Sequence, residues 1–454
     1  MGVIKKRTLR LDHYSPTTSR IKELVTVWTS HAAMKQRIGR AGRTANGTCY
    51  RLCSEEFARD NLLPHTSPEM IRTPLDELIL QEQSLVQSCR HLLEVDALKV
   101  VNYGETELES GLLYRLTPLG YHCSKLPMDA KIAKMLIVGC ILGVLDNALI
   151  IAASLSCTKS CFVSSRQLDP TAVEARDSLI ENGFGGRDWP GGTVKSDMIA
   201  VIAVYRAWKQ QKDKKDKFCR NHALNAMALR EIDTLRHQFM DLVIDAGLAS
   251  RDGLDDCNIA KEDALITSCC LVAGLYPNIC TLVRPRRGGP KGGRLLTKDG
   301  EVSRPSSSSL QRKRVAAAAE NGKDACAIYH AKHRTIGAVG VGGQMQRPPE
   351  TFLSEVNFVS KFSLLLFGGQ LELVKNAIII DGWLKFKVSD DGRESRKGSA
   401  VDNAVLILSL RDVLDRVILE HVVETFASSE EKSTMMKRHK RIIEVVRQIL
   451  SEEG

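Results

Sequence analysis

Residues Gln36–Arg43 read QRIGRAGR, which places three arginines and two glycines within eight residues. Apolar residues recur at helical spacing from Val27 to Ile38, so a helix is predicted to lead into this stretch. The two glycines then predict that the backbone leaves the helix and turns tightly. Such a turn holds Arg40 and Arg43 pointing the same way, and planar guanidinium groups suit phosphate oxygens. A basic surface loop is the alternative interpretation.

The composition indicates a globular chain of several domains. It has 454 residues, of which 43% are hydrophobic and 26% charged. The net charge of +10 is compatible with a polyanionic partner without being specific for one. The 13 cysteines contain no CxxC pair and no four-ligand zinc set, so no metal site is predicted, and free thiols in a reducing compartment are expected. No cleavable signal peptide is visible.

Local patterns predict several elements along the chain. Residues 5–28 are predicted to form a β-hairpin, and Ser54 is predicted to cap a helix that begins with acidic residues. The most apolar region, Ile132–Leu155, is interrupted by Asp146-Asn147 and predicts two buried helices rather than a membrane span. Asp197–Trp208 and Val405–Val423 have the periodicity of amphipathic helices.

The octet at Gln36–Arg43 resembles motif VI of the DEAH-box (DEAH/RHA, DExH) ATP-dependent RNA helicases. Further stretches resemble the same family in the family's order. These are LTPLG at 116–120, LPMD at 126–129, AGLYPN at 273–278 and LLLFGG at 364–369. The resemblance covers most of residues 4–425 and favours a phosphate-contacting role for the octet over a basic surface loop.

The resemblance implies a multidomain fold of the α/β plus α class. Its expected parts are a partial RecA-like lobe, a winged helix, a helical ratchet bundle and a β-barrel OB-fold. We expect the following boundaries: 1–66 for the end of the second RecA-like lobe, 67–136 for the winged helix, 137–255 for the helicase-associated ratchet domain, 256–425 for the OB-fold with a basic disordered insertion at about 284–349, and 426–454 for a charged helical tail. Residues 284–314 carry ten Lys/Arg and two Asp/Glu, a balance of +8.

The resemblance also assigns roles to individual residues of the octet. Gln36 would position the attacking water, and Arg40 and Arg43 would stabilise charge on the γ-phosphate. Arg37 would brace the loop that Gly39 and Gly42 shape. The RNA-binding candidates, whose alternatives are helix capping and a solvated loop, are Arg220, Asn221, His222, Arg284, Arg286 and Arg287.

The sequence contains neither a GxxxxGK[ST] phosphate loop nor a DEAH or DExH tetrad. The chain begins about where the family's motif V ends, so we expect a C-terminal fragment or a truncated gene model. ATP and Mg²⁺ would then be the cofactors, with the Mg²⁺ ligands in the missing N-terminal lobe, and this chain alone would be inactive. The alternative is a non-catalytic RNA-binding or regulatory fragment.

The expected partners follow from the same resemblance. They are RNA, the missing N-terminal RecA-like lobe, and a helicase-activating, translation or RNA-processing protein, with no membrane partner. The cytoplasm is the expected location, with the nucleus as the alternative.

Overall fold

The computed structural model describes fourteen stretches of the chain. They are 8–14, 22–41, 51, 53–64, 85–103, 111–163, 169–185, 196–283, 293–320, 325–335, 349–374, 377–387, 399–423 and 440–450. The chain divides into two compact units, Met1–Ser88 with Lys332–Phe352, and Cys89–Ala331 with Leu353–Gly454. Among the described residues, no helix is both long and apolar enough to cross a lipid bilayer.

The first unit is built around a β-hairpin and two helices. Strands β1 (Thr8–Tyr14) and β2 (Lys22–Trp28) pair antiparallel, and β2 also pairs in parallel with β9 (Ala331–Arg334). Helices α1 (His31–Ala41) and α2 (Glu55–Asn61) follow the hairpin, which confirms the hairpin prediction. The Ser54 side chain accepts a hydrogen bond from the Phe57 amide, so the predicted cap is also confirmed.

The second unit begins with a hairpin and short helices. Helix α3 (Leu85–Glu94) leads into strands β3 (Leu98–Tyr103) and β4 (Gly111–Leu116), which pair antiparallel. Helix α4 (Pro118–Lys125) follows at once, because the Thr117 hydroxyl accepts from the Gly120 amide and proline occupies the first helical position.

A helical core forms the largest part of the second unit. Helices α5 (Ala130–Ile141) and α6 (Leu145–Ser156) are buried along most of their length, which confirms the predicted helix pair. The other helices of this core are α7 (Pro170–Asn182), α8 (Asp197–Gln210), α9 (Lys215–Asn221), α10 (Ala226–Asp245) and α11 (Ala264–Leu275). Their apolar side chains belong to one continuous cluster.

Short strands follow the helical core. Strands β5 (Ile279–Val283), β6 (Arg294–Thr297), β7 (Val302–Pro305), β8 (Cys326–Ile328) and β11 (Asn357–Val359) pair in the order β7-β6-β5-β8-β11. All four of these pairings are antiparallel. Two short 3-10 helices, Arg251–Gly253 and Asp256–Asn258, lie between α10 and α11. The remaining helices and strands are α12 (Arg312–Glu320), β10 (Thr351–Ser354), α13 (Lys361–Phe367), the β12 (Leu371–Val374), β13 (Ala377–Ile380) and β14 (Leu384–Lys387) sheet, α14 (Ser399–Val423), and helix α15 at 440–450.

The structure corrects the disordered insertion expected at about 284–349. Residues 293–320 and 325–335 form β6, β7, α12, β8 and β9. Leu295, Val315 and Ala327 are fully buried in one apolar cluster, and this burial orders a stretch whose charge suggested a solvated loop. Residues 284–292, 321–324 and 336–348 lie outside the described residues.

Candidate nucleic-acid interface

The start of α8 is fixed by a buried carboxylate. Asp197, which is 2% exposed, accepts hydrogen bonds from the Leu310 amide, the Gln311 side chain and the Val356 amide at 3.0–3.3 Å. Burial raises the pKa of Asp197 to about 7, although its hydrogen bonds with Ser309, Gln311 and the Val356 amide lower it. These contacts join α8 to two segments more than a hundred residues further along the chain.

Asn357 adds a second anchor beside the carboxylate. Its Oδ1 accepts from the Ser196 hydroxyl at 2.7 Å and from the Met198 amide at 2.9 Å. Its own amide group donates to the Glu355 carbonyl oxygen at 2.7 Å. Because Asp197 and Asn357 together accept five hydrogen bonds at this junction, we expect α8 to be held in one orientation.

Near the other end of α8, a cation packs against a buried aromatic ring. Trp208 is 1% exposed, and the Lys215 ammonium lies 4.0 Å from the centre of its ring. Helix α9 then presents Phe218 against His222, with ring centroids 4.2 Å apart. The His222 Nδ1 lies 2.9 Å from the Phe218 carbonyl oxygen, so the ring is fixed by a local hydrogen bond.

A short backbone pairing holds the chain after α9 against the segment after α6. The Asn225 amide donates to the Cys161 carbonyl at 2.8 Å, and Phe162 forms an isolated bridge with Leu224. Ala223 has a φ of 49°, a left-handed conformation that non-glycine residues adopt infrequently. Helix α9 therefore ends in a tightly determined turn, which fixes the backbone of the residues it carries.

This frame exposes a set of cations that we name the basic corner, residues 212–222. Lys212, Lys214, Lys217 and Arg220 are exposed, and none takes part in an ion pair with another described residue. Asn221, beside them, is exposed as well. Unpaired cations on a fixed backbone, next to a side-chain amide, are suited to contact phosphate oxygens.

In a neighbouring cleft, by contrast, most cations form ion pairs with carboxylates. It has a volume of about 530 Å³ and is lined by Asp146, Ile150, Tyr205, Arg206, Lys209, Gln210, Arg236, Lys261 and Glu262. Arg206 pairs with Glu262 at 2.7 Å, Lys209 pairs with Asp233 at 2.6 Å, and Arg236 pairs with Asp146. Burial opposes the charge on Asp233, but hydrogen bonds from Lys209 and Tyr205 hold its pKa below the ordinary value.

Because these pairs neutralise most of the cleft's charge internally, its cations are less available to a polyanion than those of the basic corner. The corner is therefore the stronger candidate for contact with nucleic acid.

The structure describes some of the predicted site residues, and others lie outside the described residues. Arg220 and Asn221 lie exposed at the end of α9, and His222 is half-buried against Phe218. The backbones of Gln36, Arg37, Gly39 and Arg40 lie in α1, whereas Gly42, Arg43, Arg284, Arg286 and Arg287 lie outside the described residues. Helix α1 continues through Gly39 and ends at Ala41, and the tight turn predicted from the two glycines lies outside the described residues, which stop before Gly42.

The corner lysines are not among the predicted site residues, because a run of mixed charge such as 209–217 usually forms a solvated face. The available signal was the excess of lysine over aspartate in that run, five against two. Asp197 and Asn357 were also missed, because their partners are distant in the sequence.

Comparison with known proteins identifies the central part of this chain. Residues 129–227 match the family model described as the helicase associated domain (HA2), ratchet-like. The matched region contains α5 to α9 and the basic corner, and it ends in the first turn of α10.

Three sequence relatives extend the match over most of the chain. The putative ATP-dependent RNA helicase DHX57 of Mus musculus is 28% identical over 88% of this chain and 30% of its own length. The ATP-dependent DNA/RNA helicase DHX36 of Bos taurus is 28% identical over 93% of this chain and 39% of its own length. The DExH-box ATP-dependent RNA helicase DExH1 of Arabidopsis thaliana is 31% identical over 81% of this chain and 35% of its own length.

The chain thus spans between about 30% and 39% of the length of these relatives. The order of its sequence motifs, the HA2 match and the relatives agree with one another. On these grounds the chain belongs to the DEAH-box (DExH) helicase family and corresponds to that family's C-terminal region with its ratchet domain.

Proposed function

We propose that this chain is the RNA-handling part of an ATP-dependent RNA helicase, which couples ATP hydrolysis to RNA translocation and unwinding. The observation that supports it most directly is the basic corner, where exposed, unpaired cations lie on a fixed backbone inside the HA2 match. Single-stranded nucleic acid is bound mainly through its phosphates, so such a surface favours an RNA backbone contact.

The domain organisation is part of this proposal. The hairpin β3–β4 followed by the capped helix α4 supports a winged helix within residues 67–136. The helical core supports a ratchet domain at 137–255, and the antiparallel strands β5 to β8 and β11 support an OB-fold within 256–425. Residues 1–66 would then complete the second RecA-like lobe.

The proposed ATP chemistry depends on the octet Gln36–Arg43. Gln36 would orient the attacking water, while Arg40 and Arg43 would stabilise the transition-state charge on the γ-phosphate. ATP and Mg²⁺ would bind mainly to a lobe that carries the phosphate loop and the DExH carboxylates. We place the protein in the cytoplasm, with the nucleus as the alternative.

RNA binding is tested by fluorescence anisotropy with a labelled single-stranded RNA and the whole chain. The double variant Lys217→Glu/Arg220→Glu removes two exposed cations of the basic corner. Each phosphate contact on a single strand contributes about 0.7 to the slope of log K against log salt, so the slope should decrease by about 1.4. Affinity at low salt should decrease by at least about tenfold.

A charge-matched control is the double variant Arg416→Glu/Arg441→Glu, whose cations are exposed on α14 and α15. The control should keep the salt slope of the unchanged protein. Equal losses in both double variants would mean that only net charge matters, and this result would refute the assignment of the basic corner.

Catalysis is tested by joining the chain to a lobe that carries the phosphate loop and DExH tetrad. Arg43→Ala should then lower RNA-stimulated ATP hydrolysis by about 10³ or more, since an arginine finger typically contributes that much. Near-normal turnover would refute the assignment of Arg43 as an arginine finger.

The alternative function is a non-catalytic RNA-binding or regulatory protein, which the lack of a phosphate loop in these 454 residues favours. RNA binding by the chain, without ATP hydrolysis even after the lobe is joined, would support it.

A further inference from the structure

Helix α15, at 440–450, is seated on the helical core of the second unit. Ile443, Val446 and Leu450 are at most 7% exposed and belong to the main apolar cluster. Their spacing of three and four residues places them on one face of the helix. Val445, next to the buried Val446, is 47% exposed, so the helix has a buried apolar face and a solvated face.

Two ion pairs align this helix with a single segment of the chain. The Lys440 ammonium lies 3.7 Å from Asp256, and the Arg447 guanidinium lies 2.8 Å from Asp263. Both carboxylates belong to residues 254–263, the second part of the connection from α10 to α11, which we name the clasp. The basic side chains of α15 therefore match acidic side chains of the clasp near both ends of the helix.

The clasp holds together elements of the helical core. The Asn258 side chain accepts from the Asp146 amide at 2.7 Å, and the Ala260 amide donates to the Gly143 carbonyl at 2.8 Å. The Lys261 carbonyl accepts from the Asn147 side chain at 2.8 Å and from the Arg206 guanidinium at 2.9 Å. The clasp thus fastens the α5–α6 turn and the C-terminal part of α8.

Asp263 links the docked helix α15 to the start of α11. Its side chain caps α11 by accepting from the amides of Leu265 and Ile266, at 2.9 and 3.0 Å. The same carboxylate faces Arg447, so α15 contacts the clasp at the residue that begins α11. Displacing α15 would leave this largely buried carboxylate without its cation.

We propose that the clasp and the apolar surface beside it form a docking site for an amphipathic basic helix, occupied reversibly in cis by residues 440–450. The occupied site keeps the clasp closed over the neighbouring cleft, where Lys261 and Glu262 hold Arg206. An isolated helix of this length is marginally stable in water. Undocking therefore unfolds α15 and loosens the clasp together, and it requires neither RNA nor ATP.

Hydrogen exchange on the whole chain, followed by mass spectrometry, tests the docking with two neighbouring valines. Val446→Asp places a charge in the buried face, whereas Val445→Asp places the same charge on the solvated face. We expect Val446→Asp to accelerate exchange at least about tenfold in both 440–450 and 254–263, with Val445→Asp close to the unchanged protein. Unchanged exchange in 254–263 would overturn the proposal.

A charge exchange keeps the proposal testable if Val446→Asp disturbs the whole unit. Lys440→Glu should accelerate exchange in both segments, and the added change Asp256→Lys should restore protection by recreating the pair with opposite polarity. Arg441→Glu, at an exposed position without an ion pair to another described residue, is the matched control. Protection of strands β12–β14 should stay constant in every variant. Equal effects of Lys440→Glu and Arg441→Glu, or no rescue, would refute docking through the clasp.

Discussion

Replacing Asp197 by asparagine will show which of two opposing effects controls the buried carboxylate at the start of α8. Burial raises its pKa from the ordinary 3.8 to about 7, against the lowering effect of the groups that donate hydrogen bonds to it. A carboxyl with a higher pKa in the folded protein binds its proton more tightly there. Its stabilising contribution is therefore complete below about pH 4 and is lost as the pH rises to about 7. Since each pH unit between the two pKa values is worth about 1.4 kcal/mol, the loss amounts to about 4 kcal/mol.

The assay is urea unfolding of the unchanged protein and Asp197→Asn between about pH 4 and about pH 7.5. Tryptophan fluorescence follows the unfolding of the second unit through Trp208, which is buried in its core, while Trp28 of the first unit is half-exposed. Asparagine does not titrate, so the difference between the two proteins isolates Asp197, while neighbouring Glu355, whose pKa burial also raises, titrates in both. The free energy of unfolding of the unchanged protein should fall by about 4 kcal/mol relative to the variant.

The control is Asp412→Asn, which removes an exposed carboxyl on α14 and should leave the pH dependence unchanged. A flat difference between the unchanged protein and Asp197→Asn would refute the reasoning. A rise in the stability of the unchanged protein with pH would show that the hydrogen-bond donors outweigh burial and hold the pKa low.

Three further predictions concern packing, hydrogen bonding and thiol chemistry. Gly120→Ala would drive a methyl group into the Ala97 backbone, so we expect a loss of about 3 kcal/mol in the free energy of unfolding, measured by urea denaturation. Tyr205→Phe removes the hydroxyl that donates to Asp233 at 2.5 Å and should cost about 1–2 kcal/mol in the same assay; no loss would contradict that hydrogen bond's role. Burial raises the pKa of Cys270, so iodoacetamide at mildly alkaline pH should leave it unmodified until the protein unfolds, as mass spectrometry would show.

Local structure was largely predictable from the sequence. Ser54 caps its helix through an amide three residues away, and Ile132–Leu155 forms the predicted pair of buried helices. The hairpin of β1 and β2 joins strands separated only by a short connection. In each case the residues that decide the structure lie close together in the chain, so composition and periodicity carry the information.

Part of the candidate site was also predictable. Arg220 and Asn221 were selected by resemblance, and the structure shows them exposed. Which lysines of this run stay unpaired was not predictable, because a lysine in a charged run looks the same whether or not a carboxylate from another helix neutralises it. Lys209 is paired with Asp233 of α10, while Lys217 has no such pair among the described residues.

The sequence by itself determined the family, the order of the motifs and most individual helices. Tertiary structure alone decided how Asp197 meets Leu310 and Val356, and how Arg447 of α15 meets Asp263. It also decided that residues 293–320 are ordered, because Leu295 and Val315 are buried. The physical reason is that a helix or turn needs partners a few residues away, whereas the contacts of Asp197 and Asp263 close loops of more than a hundred residues. Such loops close only when the whole core packs.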